Sequence, residues 1–315
     1  MNILITGGAG FIGSHLCKRF VQRNDYVICV DNFITGSKEN IKELLGSPRF
    51  ILVDHDISTP LYREEDLDWV LHFASIASPK HYLELPIKTL KSGLLGTHNC
   101  LGIAKEKGAK FLLASTSEVY GDPGIHPQCE EYNGNVSITG PRSCYDESKR
   151  GAEALTYAYL RQHNLGVRVV RIFNTYGPLM QADDGRVVSN FIVQALKGHD
   201  LTIYGDGEQT RSFCYIDDLT RGILKIIQID YALPLNLGNP CEFKIIDLAQ
   251  IILKLTKSKS KLKFLPLPED DPKKRCPDIG KVKTLLGWQP EVGLEDGLAK
   301  TIEYFRARLK KGYID

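Results

Sequence analysis

Short apolar runs alternate with longer amphipathic stretches through the first 177 residues. The apolar runs predict strands and the amphipathic stretches predict helices. The predicted strands are Asn2–Thr6, Tyr26–Val30, Arg49–Val53, Trp69–Phe73, Lys110–Ser115 and Val167–Phe173, and the predicted helices are Phe11–Gln22, Leu85–Lys107 and Asp146–Asn164. Strands that alternate with helices are typical of βαβ units. We therefore predict an α/β fold in which helices cover both faces of a doubly wound parallel sheet.

The pattern changes after about Gly177, where the predicted elements become shorter and mixed. Loops rich in Gly, Pro and Asp separate them, and Pro266–Pro277 is the most marked of these loops. The predicted helices are Arg186–Leu196, Ile245–Leu255, Val282–Leu286 and Leu294–Leu309, and the predicted strands are Leu201–Tyr204 and Pro234–Leu237. This part of the chain predicts a smaller mixed α/β lobe that rests on the carboxyl edge of the sheet.

Composition excludes several other classes of protein. With 40 Lys and Arg against 38 Asp and Glu, the net charge is only +2, which gives no support for nucleic-acid binding. No apolar run reaches the roughly 18 residues that span a membrane, and the first run leads directly into a glycine-rich turn instead of a signal-peptide pattern. The eight cysteines are scattered without zinc-ligand spacing. We expect a cytoplasmic protein with reduced cysteines, without a metal and without a membrane or nucleic-acid partner.

The first candidate site is the glycine-rich turn that joins the first strand to the first helix. Gly7, Gly10 and Gly13 allow a tight turn and close approach of the backbone to a phosphate, and the helix N-terminus favours a pyrophosphate. The spacing is GxxGxxG. Asp31 ends the second strand, where a carboxylate accepts from an adenosine ribose and repels a 2′-phosphate. The pattern predicts a Rossmann-type domain that binds NAD, with Asp56 and Ile57 close to the adenine. The alternative role for Asp31 is to cap a helix or turn.

Tyr145 and Lys149 form the second candidate site. Their i, i+4 spacing places both on one face of a predicted helix. A tyrosine with its ordinary pKa near 10 is a poor base at neutral pH, but an adjacent ammonium and an oxidised nicotinamide both favour the phenolate. Tyr145 is therefore expected to take a hydroxyl proton while a hydride leaves the same carbon.

These residues together resemble the extended short-chain dehydrogenase/reductase superfamily that acts on nucleotide sugars, and the resemblance covers essentially the whole chain. Further stretches are similar to the UDP-glucuronate decarboxylases (UDP-xylose synthases), a family within it. These stretches are His72–Ser75, Ser78-Pro79, His81-Tyr82, Pro86–Thr89, Ala114–Pro123, Gly140–Arg150, Arg171–Pro178, Asp184–Ile192, Gln209–Arg211 and Asp270–Ile279.

Thr116-Ser117-Glu118 discriminates most sharply among the related families. Sibling 4,6-dehydratases carry an acid where Ser117 stands, and a serine cannot protonate a leaving hydroxyl at neutral pH. The Glu118 carboxylate beside a substrate carboxylate suits a decarboxylase, because like charge disfavours the ground state. Glu118 is alternatively expected to move a proton through water, or to be merely hydrogen-bonded at a strand end.

The resemblance implies oxidation at carbon 4 of UDP-glucuronate, loss of carbon dioxide from the 4-keto acid, and return of the hydride to give UDP-xylose. It implies Tyr145, Lys149, Glu118, Ser117 and Thr116 as the catalytic residues. The NAD contacts that it implies are Gly7, Gly10, Phe11, Ile12, Gly13, Asp31, Asn32, Phe33, Thr35, Gly36, Asp56, Ile57, Phe73, Ser75, Ala114, Tyr145 and Lys149. The substrate contacts that it implies are Lys91, Asn174, Arg186, Tyr204, Gln209, Arg211 and Arg275, with the three arginines on the diphosphate.

The implied domains are residues 1–177 for NAD, with returning segments at about 212–240, and 178–315 mainly for the nucleotide sugar. The two long helices resemble a pair that builds a homodimer, with Tyr157, Ala158 and Leu160 at the contact. Ser92-Gly93 departs from the family pattern and puts one contact near the nicotinamide in doubt. The alternatives are another nucleotide-sugar 4-epimerase or 4,6-dehydratase, a decarboxylase that releases its 4-keto pentose, and a non-catalytic NAD-binding protein.

Overall fold

The computed structural model describes residues 1–266 and 274–312. Its strands are β1 (Asn2–Thr6), β2 (Tyr26–Asp31), β3 (Phe50–Asp54), β4 (Trp69–His72), β5 (Lys110–Thr116), β6 (Val167–Ile172), β7 (Thr175–Tyr176), β8 (Leu201–Tyr204), β9 (Thr210–Ser212), β10 (Cys214–Tyr215), β11 (Leu235–Leu237), β12 (Glu242–Lys244), β13 (Leu262–Leu265) and β14 (Lys274–Arg275). Its α-helices are α1 (Phe11–Gln22), α2 (Pro79–Glu84), α3 (Pro86–Lys107), α4 (Ser143–His163), α5 (Val187–Lys197), α6 (Ile216–Ile226), α7 (Ile245–Thr256), α8 (Gly280–Leu286) and α9 (Leu294–Lys310). Two 3-10 helices cover Lys38–Leu44 and Ser117–Tyr120.

Seven strands form one parallel sheet in the order β11-β6-β5-β4-β1-β2-β3. The strand order reverses beside β1, because β2 lies on one side of it and β4 on the other. This reversal confirms the predicted doubly wound fold. In such sheets a crevice opens at the carboxyl ends of the strands that flank the reversal.

Successive side chains of the central strands enter two separate hydrophobic cores. Ile3 and Ile5 belong to one core with α1, whereas Leu4 belongs to the other, with buried residues of α3 and α4. All three side chains are fully buried. Because strand side chains alternate between the two faces of a sheet, both faces of this sheet must be covered. The continuous apolar runs of the sequence result from this double burial.

The chain after β6 adds short strands and helices near the carboxyl edge of the sheet. Three small sheets pair β7 with β10, β8 with β13, and β9 with both β12 and β14. β11 returns to the main sheet beside β6. Helix α6 and most of these short strands are absent from the sequence prediction, which assigned no element to Ile216–Ile226. None of the described helices is both long enough and apolar enough to cross a lipid bilayer.

Candidate active site

A cavity of about 630 Å³ opens at the carboxyl edge of the sheet, where the strand order reverses. One end of its wall comes from the glycine turn after β1 and from the ends of β2, β4 and β5. The other end comes from the start of α4 and from segments between residues 172 and 213, together with Arg275 on β14. The fold therefore brings the glycine turn and the Tyr145–Lys149 pair into one cavity.

The glycine turn is tight enough to exclude side chains. Gly7 has a positive φ of 67°, and a Cβ there would lie 2.7 Å from the backbone nitrogen of Ala74. A Cβ on Gly13 would lie 2.1 Å from the carbonyl oxygen of Gly7. Because α1 begins at Phe11, its first backbone N–H groups lie directly after this turn. The turn thus offers a bare backbone surface at a helix N-terminus, which suits a phosphate group.

Asp31 links the glycine turn to the end of β2. Its two carboxylate oxygens accept hydrogen bonds of 2.9 Å each, from the backbone N–H groups of Ala9 and Phe33. Burial raises the pKa of Asp31, and these two hydrogen bonds oppose that shift. A Cβ on Gly36 would lie 2.7 Å from the carboxylate, so glycine leaves space for it. Asp31 therefore fulfils the turn-cap role, and it also lines the cavity, where its remaining lone pairs can accept from a ribose.

Most of the predicted NAD residues lie on the cavity wall. Those on the wall are Gly7, Gly10, Phe11, Ile12, Gly13, Asp31, Asn32, Thr35, Asp56, Ile57, Phe73, Ser75, Ala114, Tyr145 and Lys149. Phe33 and Gly36 are not on the wall and act instead on the Asp31 carboxylate. Ser75 Oγ is buried without a hydrogen-bond partner among the described residues. An orphaned hydroxyl beside a side-chain-free glycine cradle is the arrangement that a dinucleotide would complete.

Tyr145 and Lys149 lie on the face of α4 that points into the cavity, and both side chains are buried. The ring of Tyr145 stacks on Tyr82, with centroids 5.3 Å apart and planes 7° from parallel. The Lys149 ammonium donates to the carbonyl oxygen of Ala114 over 2.8 Å. Burial lowers the pKa of Lys149 to about 8, although Glu153 opposes the shift.

The sequence analysis expected Lys149 to lower the pKa of Tyr145, but in the structure the groups that lower it are Thr116 and Arg186. Burial raises the pKa of Tyr145 to about 12, because the hydrogen bond from Thr116 and the charge of Arg186 lower it by less than burial raises it. Lys149 does not offset the burial, since its ammonium is directed to a backbone carbonyl. A further positive charge brought into the cavity with a ligand would lower this pKa.

Glu118 lies on the 3-10 turn that follows β5, between two arginines. Its Oε2 accepts from Arg142 over 2.6 Å and from Arg275 over 3.0 Å. Arg275 is only 2% exposed and also donates to the carbonyl oxygens of Ser117 and Gly121, each over 2.9 Å. Burial alone would raise the pKa of Glu118, but the two arginines outweigh it and hold the pKa below its usual value.

The two arginines Arg142 and Arg275 with Glu118 between them form a clamp, and this clamp changes the expected role of Glu118. Its negative charge is compensated by two guanidinium groups, so the predicted like-charge repulsion of a substrate carboxylate is largely offset. The sequence analysis missed Arg142 as a site residue, although it stands three residues before Tyr145 and thus near the same helix face. That spacing is the signal by which Arg142 could have been found.

Asp146 is a second acid beside this clamp that the sequence analysis missed. The residue is buried, and its Oδ1 has no hydrogen-bond partner within the described parts of the chain. Burial, reinforced by the charge of Glu118, raises the pKa of Asp146 to about 7, although Arg142 and Arg275 oppose the shift. A carboxyl group that titrates near neutral pH therefore lies next to the arginine–glutamate cluster.

Six of the seven predicted substrate residues line the other end of the cavity, and Lys91 does not. The six are Asn174, Arg186, Tyr204, Gln209, Arg211 and Arg275. Arg186 precedes α5 and contacts Asp184 at 3.3 Å, and its charge also acts on Tyr145. Gln209 donates to the carbonyl oxygen of Tyr204 over 2.7 Å. Cations outnumber carboxylates along the wall, so the cavity favours an anionic ligand.

The departure at Ser92-Gly93 has a packing explanation. A Cβ on Gly93 would lie 2.5 Å from the Cβ of Ser148, so glycine allows α3 to lie directly against α4. Ser92 lines the cavity, and its hydroxyl donates to the carbonyl oxygen of Thr89 over 3.0 Å. Ser92 thus places a small hydroxyl on the cavity wall at this position.

Comparison with known proteins shows which family the chain resembles in sequence. A family model described as the NAD dependent epimerase/dehydratase family matches residues 3–238. The chain is 54% identical to UDP-glucuronic acid decarboxylase 1 of Xenopus tropicalis over 308 residues, which cover 98% of this chain and 73% of the relative.

Two solved structures are similar over nearly their whole length. The dTDP-glucose 4,6-dehydratase DesIV of Streptomyces venezuelae, with NAD bound, has a TM-score of 0.91 at 28% identity, covering 100% of this chain and 99% of its own. The UDP-glucuronic acid 4-epimerase of Bacillus cereus, in complex with UDP-glucuronic acid and NAD, has a TM-score of 0.88 at 30% identity, covering 98% and 99%. Each of the two was solved with NAD bound.

Proposed function

Because the chain belongs to the NAD-dependent epimerase/dehydratase family, we infer that it is an enzyme that decarboxylates UDP-glucuronate with the aid of NAD. The observation that carries this assignment is its 54% identity, over 98% of the chain, to a UDP-glucuronic acid decarboxylase. The Thr116-Ser117-Glu118 turn supports it, because no acid occupies the position at which a dehydratase needs one.

The residues for NAD are those of the glycine turn and its surroundings. We propose that the backbone from Gly7 to Gly13 holds the pyrophosphate and that Asp31 accepts from the adenosine ribose. We also propose that Ser75 gains from NAD the hydrogen-bond partner that it lacks among the described residues. When bound, NAD supplies a hydride acceptor and a positive charge near the reacting carbon, and it is regenerated when the hydride returns.

We propose that Tyr145 takes the proton of the 4-hydroxyl while carbon 4 loses its hydride. The burial that raises the pKa of Tyr145 also excludes water from the phenol, so a nearby positive charge acts on it with little screening. Lys149 lies one helical turn further along α4, where its ammonium is held by the Ala114 carbonyl and is available to a ribose hydroxyl. Thr116 donates to the phenol oxygen and steadies its orientation.

The 4-keto sugar that results is a β-keto acid. The bond between carbon 5 and the carboxylate breaks, carbon dioxide leaves, and the electron pair remains as an enolate. Carbon 5 is then protonated, and reduction at carbon 4 gives UDP-xylose. We propose that Ser117 and Tyr145 donate to the oxygen that gains charge, because the one hydroxyl hydrogen of Thr116 is directed to the phenol oxygen. Glu118 and the carbonyl oxygens of Ser117 and Gly121 hold the buried Arg275, so it supports Glu118 instead of binding the diphosphate as the sequence analysis expected. We propose that Arg142, which Glu118 also holds, receives the carboxylate of the substrate.

The diphosphate of the substrate requires cations further along the cavity. We propose that Arg186 and Arg211 bind it, and that Asn174, Tyr204 and Gln209 contact the sugar and the uridine. We propose that residues 1–177, with the returning segments at about 212–240, serve NAD, and that residues 178–315 mainly serve the nucleotide sugar. The test is to incubate the purified protein with UDP-glucuronate and to determine the mass of the nucleotide-sugar product.

The predicted product has lost the mass of one carbon dioxide and co-migrates with UDP-xylose, without accumulation of NADH. An unchanged mass with a shifted retention time would indicate the epimerase, and loss of water would indicate the dehydratase. Either result would refute the assignment. Loss of carbon dioxide with stoichiometric NADH would mean that the 4-keto pentose is released before it is reduced.

We also propose that the protein is a homodimer built on α3 and α4. The exposed apolar side chains Ile87 and Leu95 on α3 support this, with exposed fractions of 69% and 47%. Light scattering that finds a monomer at micromolar concentration would contradict it. The eight unpaired cysteines favour a reducing compartment, and we propose the cytoplasm.

A further inference from the structure

Three metal-ligating side chains converge outside the cavity that holds the candidate active site. His126 lies in the loop after the 3-10 turn of Glu118, Glu242 begins β12, and Cys276 directly follows β14. Their donor atoms all lie within 4.8 Å of one another, and His126 Nε2 is 2.9 Å from Glu242 Oε2. None of the three lines the cavity or has a role in the proposed reaction.

The distances between these donor atoms are close to those of a zinc site. Zinc–ligand bonds of about 2.0 to 2.3 Å at tetrahedral angles place ligand atoms about 3.4 to 3.6 Å apart. The His126–Glu242 pair must open by about half an ångström, and the thiol must move by at most about 1.3 Å. Rotations about side-chain bonds supply movements of that size without a change in the backbone.

The neighbouring hydrogen bonds fix the three ligand segments. Thr210 donates to Glu242 Oε1 over 2.6 Å, which leaves Oε2 directed at His126. Gln128 is fully buried, and its side chain accepts from the backbone N–H of Cys276 over 2.9 Å and donates to the carbonyl oxygen of Ile125 over 2.8 Å. One amide thus ties together the segments of Cys276 and His126, as supporting residues of metal sites do.

We propose that His126, Glu242 and Cys276 bind a zinc ion, with water as the fourth ligand. A thiolate, a carboxylate and a neutral imidazole together balance the charge of a divalent cation, and the sulfur and nitrogen donors select zinc over magnesium or calcium. When the ion binds, the thiol proton passes to solvent and a sulfur–zinc bond forms. In the metal-free protein His126 Nε2–H donates to the Glu242 carboxylate. That proton must move through solvent to Nδ1, so that the imidazole stays neutral and the freed Nε2 lone pair binds the metal. The ion would connect β12, the end of β14 and the loop at His126.

The test uses cobalt as a spectroscopic probe, because Co²⁺ bound tetrahedrally through a thiolate gives a charge-transfer band in the near ultraviolet. The full-length protein with its bound nucleotide is titrated with Co²⁺ in a phosphate-free buffer, and Zn²⁺ is then added in competition. We expect one equivalent of Co²⁺ to produce the band and one equivalent of Zn²⁺ to abolish it. Zn²⁺ is also expected to raise the Tm, since it binds the folded state.

Variants separate this site from adventitious binding. Cys276→Ser should abolish the band, and His126→Gln and Glu242→Gln should each weaken binding at least about tenfold. Because the side chains of His126 and Glu242 are 32% and 27% exposed, we expect those variants to fold, and circular dichroism checks this. Cys129→Ser is the matched control and should behave as the wild type. Absence of the band, or binding that survives Cys276→Ser but is lost in Cys241→Ser, would overturn the proposal.

Discussion

Replacing Lys149 by methionine should abolish activity and yet stabilise the nucleotide-free protein. The side chain is only 4% exposed, and its ammonium has the Ala114 carbonyl oxygen as its hydrogen-bond partner at 2.8 Å. Burial lowers the pKa of Lys149 to about 8, with Glu153 opposing the shift. The folded protein therefore holds this positive charge at a free-energy cost that methionine does not incur.

The size of the effect follows from that pKa. A fall from 10.5 to about 8 corresponds to a cost of about 3 kcal/mol at neutral pH. Methionine also loses the hydrogen bond to Ala114, which is worth about 1 kcal/mol. The net expectation is that Lys149→Met increases the free energy of unfolding by about 2 kcal/mol at neutral pH.

The pH dependence gives this prediction a distinct signature. Below about pH 8 the lysine is protonated in both the folded and the unfolded state, so its cost is fully present. Between about pH 8 and the unfolded value of 10.5, the unfolded state binds more protons than the folded state, so the wild type gains stability as the pH rises. The difference in free energy of unfolding between Lys149→Met and the wild type should therefore become smaller across that pH range.

The assay is denaturant unfolding of both proteins, freed of bound nucleotide, at about pH 7 and about pH 10. Lys105→Met is the control, because Lys105 is an exposed lysine of α3 and its loss should change stability by no more than about 0.5 kcal/mol. A Lys149→Met protein that is less stable than the wild type at neutral pH would refute the reasoning. A stability difference that is the same at both pH values would also refute it.

Three further variants test other parts of the site. Tyr145→Phe keeps the ring stacked 5.3 Å from Tyr82 but removes the hydroxyl, so kcat should fall about 10²- to 10⁴-fold with little change in Tm. A loss of kcat below tenfold in steady-state assays would argue against proton transfer by Tyr145. Arg275→Met leaves Glu118 with one arginine fewer and should lower the free energy of unfolding by about 3 to 5 kcal/mol, measured with denaturant; a loss below about 1 kcal/mol would contradict the role given to the clamp. Gly13→Ala places a methyl group 2.1 Å from the carbonyl oxygen of Gly7 in the glycine turn. The purified protein should therefore contain much less NAD, measured by the absorbance of the released nucleotide. A full complement of NAD would contradict the proposal that this tight turn binds the cofactor.

The sheet and its helices could be predicted because their signal is local. β1 is a continuous apolar run because both faces of the sheet are covered, and α1 begins and ends at the residues that the amphipathic pattern marks. Burial of one strand on two sides leaves a pattern that a short window of sequence contains in full. The glycine turn has the same local character.

Helix α6 was missed for reasons that the packing explains. It contains Gly222, which weakens the helical pattern, but a Cβ there would lie 2.9 Å from a methyl group of Leu237 on β11. The glycine thus serves the contact between the helix and the sheet. Asp217 and Asp218 in the first turn are nevertheless an N-terminal helix signal that the sequence contains.

The sequence could not predict the charge interactions of the site, namely the direction of the Lys149 ammonium, the burial of the Tyr145 phenol and the pairing of Arg275 with Glu118. The spacing of Tyr145 and Lys149 places them on one face, but it does not give the direction of the ammonium, which the Ala114 carbonyl holds. Burial of the phenol depends on how distant segments close over it, which no local pattern contains. The pairing of Arg275 with Glu118 joins residues 157 positions apart, and only the folded chain brings them together.

The most direct test of the account uses UDP-glucuronate that carries deuterium at carbon 4. The purified protein converts it without added NADH, and nuclear magnetic resonance locates the deuterium in the product. The account predicts UDP-xylose with the deuterium retained at carbon 4, because the hydride that leaves this carbon returns to it within the same cavity. A product that keeps its carboxylate, or a UDP-pentose without deuterium at carbon 4, would contradict it.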